Sequence, residues 1–131
     1  MDTMTKSELL AIPVMEKRIR RNEQRLEYLR TKAEGSAIQL HERVQTSNDN
    51  KSQAILDAAI DLAIEIEGDK AELAYMKSLA SEFIYSLQKS EDREMMILRY
   101  LRGLTWREVA EVMMYTQRTI EKRHEKILSS I

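Results

Sequence analysis

The apolar and polar positions of this chain fall into three blocks, each repeating with the period of a helix. In the first, Ile12, Met15, Ile19, Asn22, Leu26, Leu29 and Ala33 recur at alternating spacings of three and four. That is a coiled-coil seam with Asn22 as its one polar member. A buried asparagine there would fix register at a cost in stability; a position leaning toward the surface is the plainer alternative. The pattern predicts a helix over about Pro13 to Lys32. Proline suits its first turn, where the missing N–H would be unpaired anyway. Thr5 and Glu8 form a T-x-x-E capping pattern, so a short helical turn is expected ahead of it. Gly35 then ends or kinks the helix, and "SAIQLHERV" can continue it.

The wholly polar stretch "QTSNDNKS", Gln45 to Ser52, separates the first two blocks. Its Asn, Asp and Ser side chains bond to nearby backbone and favour turns, so an exposed loop is expected. A second helix is predicted from about Gln53 to Gln88. Ile55, Ala59, Leu62, Ile66, Leu73, Met76, Ala80, Phe83 and Leu87 carry its seam, and Asp69 fills the gap in the series. Gly68 weakens this helix by about 1 kcal/mol relative to alanine and is a place for a kink. The two seams match, so an antiparallel hairpin closed by the polar loop is the simplest arrangement. An intermolecular coiled coil would use the same pattern.

In the third block Ser90 is expected to cap a helix, with Glu91 and Asp92 beside its dipole. Met96, Ile97, Tyr100 and Leu101 supply the apolar face, and Gly103 supplies a stop. The stretch that follows, "LTWREVAEVMMYTQRTIEKRHEKIL", has no glycine and no proline, and reads as one helix or as two. Thr105 and Glu108 form a capping box. Val109, Val112 and Met113 share a face after it. If Thr116 caps a second helix, Ile120, Ile127 and Ile131 fall on one side of that helix with Leu128 beside them. Gln117, Arg118, Glu121, Lys122 and Glu125 then point away. A short helix, a tight turn and a second helix with a polar outer face is the helix-turn-helix scheme. Its chemistry suits DNA: Arg and Lys donate to guanine, and Gln pairs with adenine. Hydroxyls and free N–H groups at helix starts hold phosphates.

The run "REMMILRYLRGLTWREVAEVMMYTQRTIEKRHEKIL" resembles the C-terminal helix-turn-helix of sigma-70-type factors, their region 4. The likeness rests on "LRYLRGLTWREVAE" and on the T-x-x-T-I opening of the second helix. The whole chain is similar to small phage and prophage proteins that join a helical hairpin and a "VQ-S" polar loop (here "VQTSND") to a sigma-like tail. The resemblance implies promoter-type DNA binding or contact with RNA polymerase. Carried over by position, base reading falls on Gln117, Arg118, Glu121 and Lys122, and backbone contacts on Thr105, Arg107 and Thr116. Two departures stand out. The sigma regions that melt promoters have no counterpart, so a complete sigma factor is not expected. The family places glycine in the turn two residues before the Thr or Ser cap, and here Met114 stands there. A positive φ costs a non-glycine residue about 1 kcal/mol or more. Either Met114 adopts that backbone, or the turn differs, or the chain runs helical straight through Tyr115.

Composition narrows the picture further. The 131 residues are one small domain's worth. They are 33% charged and 5% aromatic, which favours long helices over sheets. The net charge is −1, so bulk charge points to no polyanion. Its distribution says more. Glu16 to Lys32 holds seven basic and three acidic residues; Asp49 to Glu82 holds three basic and eight acidic; Thr116 to Ile131 holds four basic and two acidic. The first two blocks can pair, and the last has no evident acidic partner. Cysteine is absent, which excludes disulfides and thiolate metal sites. No signal peptide or membrane span is legible, so a soluble cytoplasmic protein is expected.

Several features have plainer readings. Arg118, Lys122, Arg123 and Lys126 would serve equally as a solvated face with Glu121 and Glu125 as helical neighbours. Trp106 reads as a helix-start residue packed on the first tail helix, and the methionine pairs as adaptable core. Asp57, Asp61, Glu65 and Glu72 read as a charged face opposite the basic first helix rather than as metal ligands. His41 and His124 are isolated, and no phosphate loop or nucleophile motif occurs. No enzyme, metal or cofactor is expected.

The expected fold is therefore all-α: a long antiparallel hairpin over 1–88 and a three-helix, sigma region 4-like helix-turn-helix over 89–131. The expected function is a sequence-specific, DNA-binding transcriptional regulator of phage or prophage origin. Double-stranded DNA, RNA polymerase and a second copy joined through the hairpin are the expected partners. Two alternatives are a module docking on polymerase or a phage partner without touching DNA, and a DNA-recognition subunit of phage packaging.

Overall fold

A computed structural model of the chain describes residues 4–42 and 46–131, with side chains at 4–34 and 50–131. Every regular element in it is helical. The α-helices are α1 (Lys6–Glu42), α2 (Thr46–Tyr85), α3 (Ser90–Met96), α4 (Trp106–Met113) and α5 (Gln117–Leu128). A π-helical segment, Ile97–Leu101, extends α3. No helix is long and apolar enough to cross a membrane, among the described residues.

Helix α1 starts earlier than its seam suggests. Thr5 and Glu8 cap it directly: the Glu8 N–H donates to Thr5 Oγ1 at 3.2 Å, and Glu8 Oε1 accepts from the Thr5 N–H at 3.3 Å. Pro13 therefore lies inside the helix and not in its first turn. An interior proline costs about 3 kcal/mol. Leu9 and Ile12, both fully buried, show the packing that holds the helix across it. The helix also passes through Gly35 without ending there. A single glycine costs about 1 kcal/mol but still adopts helical backbone freely.

The expected polar loop is corrected as well. Gln45 lies outside the described residues, but from Thr46 onward the chain is already α2. Thr, Ser, Asn and Asp are also the residues helix N-termini prefer, so the same composition starts a helix as readily as it makes a loop. At its other end α2 stops at Tyr85, not Gln88, in a turn where the Ser86 and Leu87 N–H groups donate to Phe83 and Ile84.

The contacts divide the chain into two compact units: Met1–Glu16 with Glu72–Ile131, and Lys17–Ala71. In the Lys17–Ala71 unit the seam residues bury as their spacing predicts. Leu26 clusters with Ala59, Leu62 and Ile66, and Leu29 and Ala63 pack against them. The two polar seam positions, Asn22 and Asp69, are buried too. Asp69 accepts two bonds from the Arg18 guanidinium, at 2.9 and 3.2 Å. Lys70 approaches Glu23 at 3.9 Å.

In the other unit Leu9, Ile12, Ala80 and Ile84 build one core with Met95, Met96, Tyr100, Val109, Ile120 and Leu128. Ser90 does not cap α3; the capping position is Lys89, in extended backbone and without a side-chain bond. Arg93 ties the junction instead, donating through Nη1 to the carbonyls of Leu87 and Gln88. After α3 the ladder loosens by one residue, with the Arg102 N–H bonded to the Ile97 carbonyl five residues back. Gly103 then turns the chain at φ +76, and a Cβ there would sit 2.8 Å from the Glu16 carboxylate. Only glycine meets both conditions without strain.

Candidate nucleic-acid interface

Thr105 opens α4 with a complete capping box. Its hydroxyl accepts from the Glu108 N–H at 3.2 Å, and Glu108 Oε1 accepts from the Thr105 N–H at 3.0 Å. Those two bonds hold the exposed Glu108 carboxyl below its ordinary pKa. Val109 and Ala110 bury the inner face of α4.

Met114 ends α4 in left-handed backbone, φ 62 and ψ 39. The Tyr115 N–H reaches back to the Ala110 carbonyl at 3.0 Å, and the Met114 N–H to Glu111 at 3.3 Å. This is the Schellman arrangement, which satisfies two terminal carbonyls and normally recruits glycine at the left-handed position. Among the described residues Met114 is the one non-glycine residue with positive φ. Its side chain is 90% exposed, so no packing offsets the strain there. Thr116 then caps α5, accepting from the Thr119 N–H at 3.2 Å. The stretch that could have been one helix is two.

The inner face of α5 consists of Ile120, His124, Ile127 and Leu128. Ile131, expected there, lies past the helix end and is 42% exposed; His124, isolated in the sequence, takes an inner position. Its Nε2 and the Tyr100 hydroxyl share a hydrogen bond of 2.5 Å. Trp106 packs on the imidazole at 4.3 Å between centroids and meets the Tyr100 ring edge-on at 6.4 Å. Arg99 lies over the indole at 4.8 Å. Burial, then the nearby Arg99 and Lys6 charges, push His124 down to about 4. Burial raises Tyr100 to about 12. Both members of the bond are therefore neutral at pH 7.

A second contact set fixes α5 from outside. Arg123 donates to Glu91 at 2.6 Å, Tyr115 donates to the same carboxylate at 3.0 and 3.2 Å, and the guanidinium covers the Tyr115 ring at 4.9 Å. These bonds lower the Glu91 pKa, with Arg123 the first cause. Glu91, expected only to favour the α3 dipole, thus anchors both the turn and the middle of α5. Sequence gives no local sign of this, since Glu91 and Arg123 lie 32 residues apart.

The sequence-derived residues separate into groups. Thr105 and Thr116 spend their acceptor oxygens on caps. Arg107 pairs with Glu111 at 3.5 Å in an exposed helical pair, and Gln117 donates to Glu121 at 3.0 Å. The side chains of Arg118, Lys122 and Lys126 make no hydrogen bond or ion pair among the described residues, although the Lys126 carbonyl accepts from the Ser129 hydroxyl at 2.7 Å. These three stand at four-residue intervals, opposite the buried face of α5, in a stripe of unneutralised positive charge. Spacing alone could have added Lys126 to Arg118 and Lys122. Residues 112, 114, 115, 116, 117, 118 and 119 are all exposed, so the turn and the start of α5 form an open surface. Among the described residues no group of His, Cys, Asp and Glu is placed to hold a metal ion. Comparison with protein-family models, curated proteins and solved structures finds no match to this chain.

Proposed function

We propose that the chain is a DNA-binding transcriptional regulator, of the phage or prophage kind its sequence resembles, with a helix-turn-helix of α4 and α5 as the reading element and an antiparallel hairpin of α1 and α2 as its helical arm. The observation that carries this is the Arg118, Lys122 and Lys126 stripe behind an exposed, capped turn. In the major groove the first residues of α5 meet base edges. Arg118 has the fork that guanine accepts in bidentate fashion. Gln117 and Glu121 reach adenine and cytosine only by giving up their mutual bond. Lys122 and Lys126 serve phosphates, and the Thr105 hydroxyl proton remains to donate there; the Thr116 hydroxyl shares a 2.8 Å hydrogen bond with that of Thr119 and reaches a phosphate as part of that pair.

A gel shift with DNA from upstream of the neighbouring operon tests this. The double variant Arg118→Glu, Lys122→Glu is expected to bind about 100-fold more weakly. The two lysine–phosphate contacts would give a salt slope of about −2. If the variant binds as well as the parent, the proposed reading face is wrong.

One observation favours a second reading. Val112 and Met114, 55% and 90% exposed, form an apolar tip at the turn. Such a tip suits docking on RNA polymerase or another protein. Retention of polymerase in a pull-down, together with no DNA binding at any salt concentration, would favour that reading.

A further inference from the structure

Within the Lys17–Ala71 unit, α2 carries an apolar stripe besides its seam. Leu56, Ile60 and Ile64 recur every four residues and are 44%, 57% and 68% exposed. At 100° per residue, Ile60 lies about a quarter turn round from its buried neighbour Ala59. The centres of the two apolar faces lie about a third of a turn apart, so α2 can touch two neighbours, as each helix of a four-helix bundle does. Here the buried seam meets one neighbour and the second face meets solvent.

Charge identifies what covers it. Asp57 and Asp61 flank the stripe, and neither makes an ion pair among the described residues. On the outer side of α1, Arg21 and Arg25 are exposed and equally unpaired. Tyr28, 60% exposed, lies on the same side one turn further on. Each unit thus presents an acid-flanked apolar stripe on one helix and a cationic face with an aromatic on the other. Two α2 stripes set against each other would bring four aspartates together.

We propose that two copies of this chain associate through the Lys17–Ala71 unit into a four-helix bundle, the Leu56–Ile60–Ile64 stripe of each copy covered by the Arg21–Arg25–Tyr28 face of the other. The arrangement is closed and two-fold: each copy contributes one face of each kind, and no stripe is left open. It stands independently of the DNA reading.

Light scattering on the full chain tests it. The parent is expected at twice the 15.4 kDa chain mass. Ile60→Glu with Ile64→Glu is expected to weaken association by about 100-fold and give the single-chain mass, with helical circular dichroism retained. Charge reversal then tests which faces meet. Arg21→Glu with Arg25→Glu makes one variant, and Asp57→Lys with Asp61→Lys makes another. Each alone is expected as a monomer, and their mixture as a heterodimer with both ion-pair sets restored. A monomeric parent, a dimeric Ile60/Ile64 variant, or a mixture that stays monomeric overturns the proposal, and none of these results bears on binding of DNA.

Discussion

Around Arg18 and Asp69 the chain is held by one apolar seam, which packs Leu26 against Ala59, Leu62 and Ile66 and admits a partly solvated ion pair. Around Tyr100 and His124 it is held by a core drawing on every α-helix, with a neutral polar pair inside and the Trp106 ring tilted against it. The seam tolerates charge because its edge stays wet: the Arg18 side chain is half exposed even while it holds a buried carboxylate. The closed core does not, and so it neutralises a histidine instead. A two-helix contact can choose its register through a charged pair; a multi-helix core chooses its geometry through shape and neutral hydrogen bonds.

Acid separates the two regions with the largest expected effect. Above pH 6.5 His124 is neutral in both the folded and unfolded chain, and its contribution to stability is fully present. Between 6.5 and about 4 the unfolded chain takes up a proton that the folded core refuses. Stability should fall by roughly 3 kcal/mol across that window. Urea midpoints measured from pH 7 to pH 4 check this, and His124→Gln should flatten the profile in that range. A parent profile that is already flat would mean that the imidazole charges freely in place.

A smaller effect is expected in the seam. Arg18→Ala leaves the Asp69 carboxylate buried without its partner. Breaking a fully buried pair costs 3–5 kcal/mol, and the solvated arginine reduces this to about 2. Pairing Arg18→Met with Asp69→Leu continues the apolar seam and should return stability to about the parent value. If the double variant is as unstable as the single, the pair contributes more than register, and the contrast between the two regions narrows.

Met114→Gly should stabilise the closed region by about 1 kcal/mol, since left-handed backbone strains methionine and the exposed side chain contributes no packing. Thermal melts show the sign directly. The smallest effect is expected from Gly68→Ala in α2. A Cβ there meets nothing within 4 Å, and helix propensity alone predicts a gain of up to about 1 kcal/mol. A loss at position 68 would show that the helix bends there in a way alanine resists.

Much of this was legible from spacing. The seam positions from Ile12 to Leu26 and from Ala59 to Ile66 bury as their three–four rhythm demands, because a helix fixes which residues share a side. The Thr105 box and the Thr116 cap were legible too, being contacts across three residues. Element ends were less so. Ser90, Pro13 and the polar run after Gln45 each fit more than one local structure, and propensities of about 1 kcal/mol do not choose among them.

The sequence by itself determined that the chain is helical, where its seams lie, and that Met114 was the residue on which one helix or two depended. Only the tertiary structure decided that question, together with the π-helical segment, the Tyr100–His124 bond and the clasp of Glu91 on Tyr115 and Arg123. The reason is distance along the chain. Periodicity and caps arise between residues three or four apart and are written locally. A neutral buried histidine and a carboxylate shared by residues 24 and 32 positions away are favourable only once other helices surround them, and the left-handed strain at the exposed Met114 is carried by the packing of α4 and α5 on either side of it.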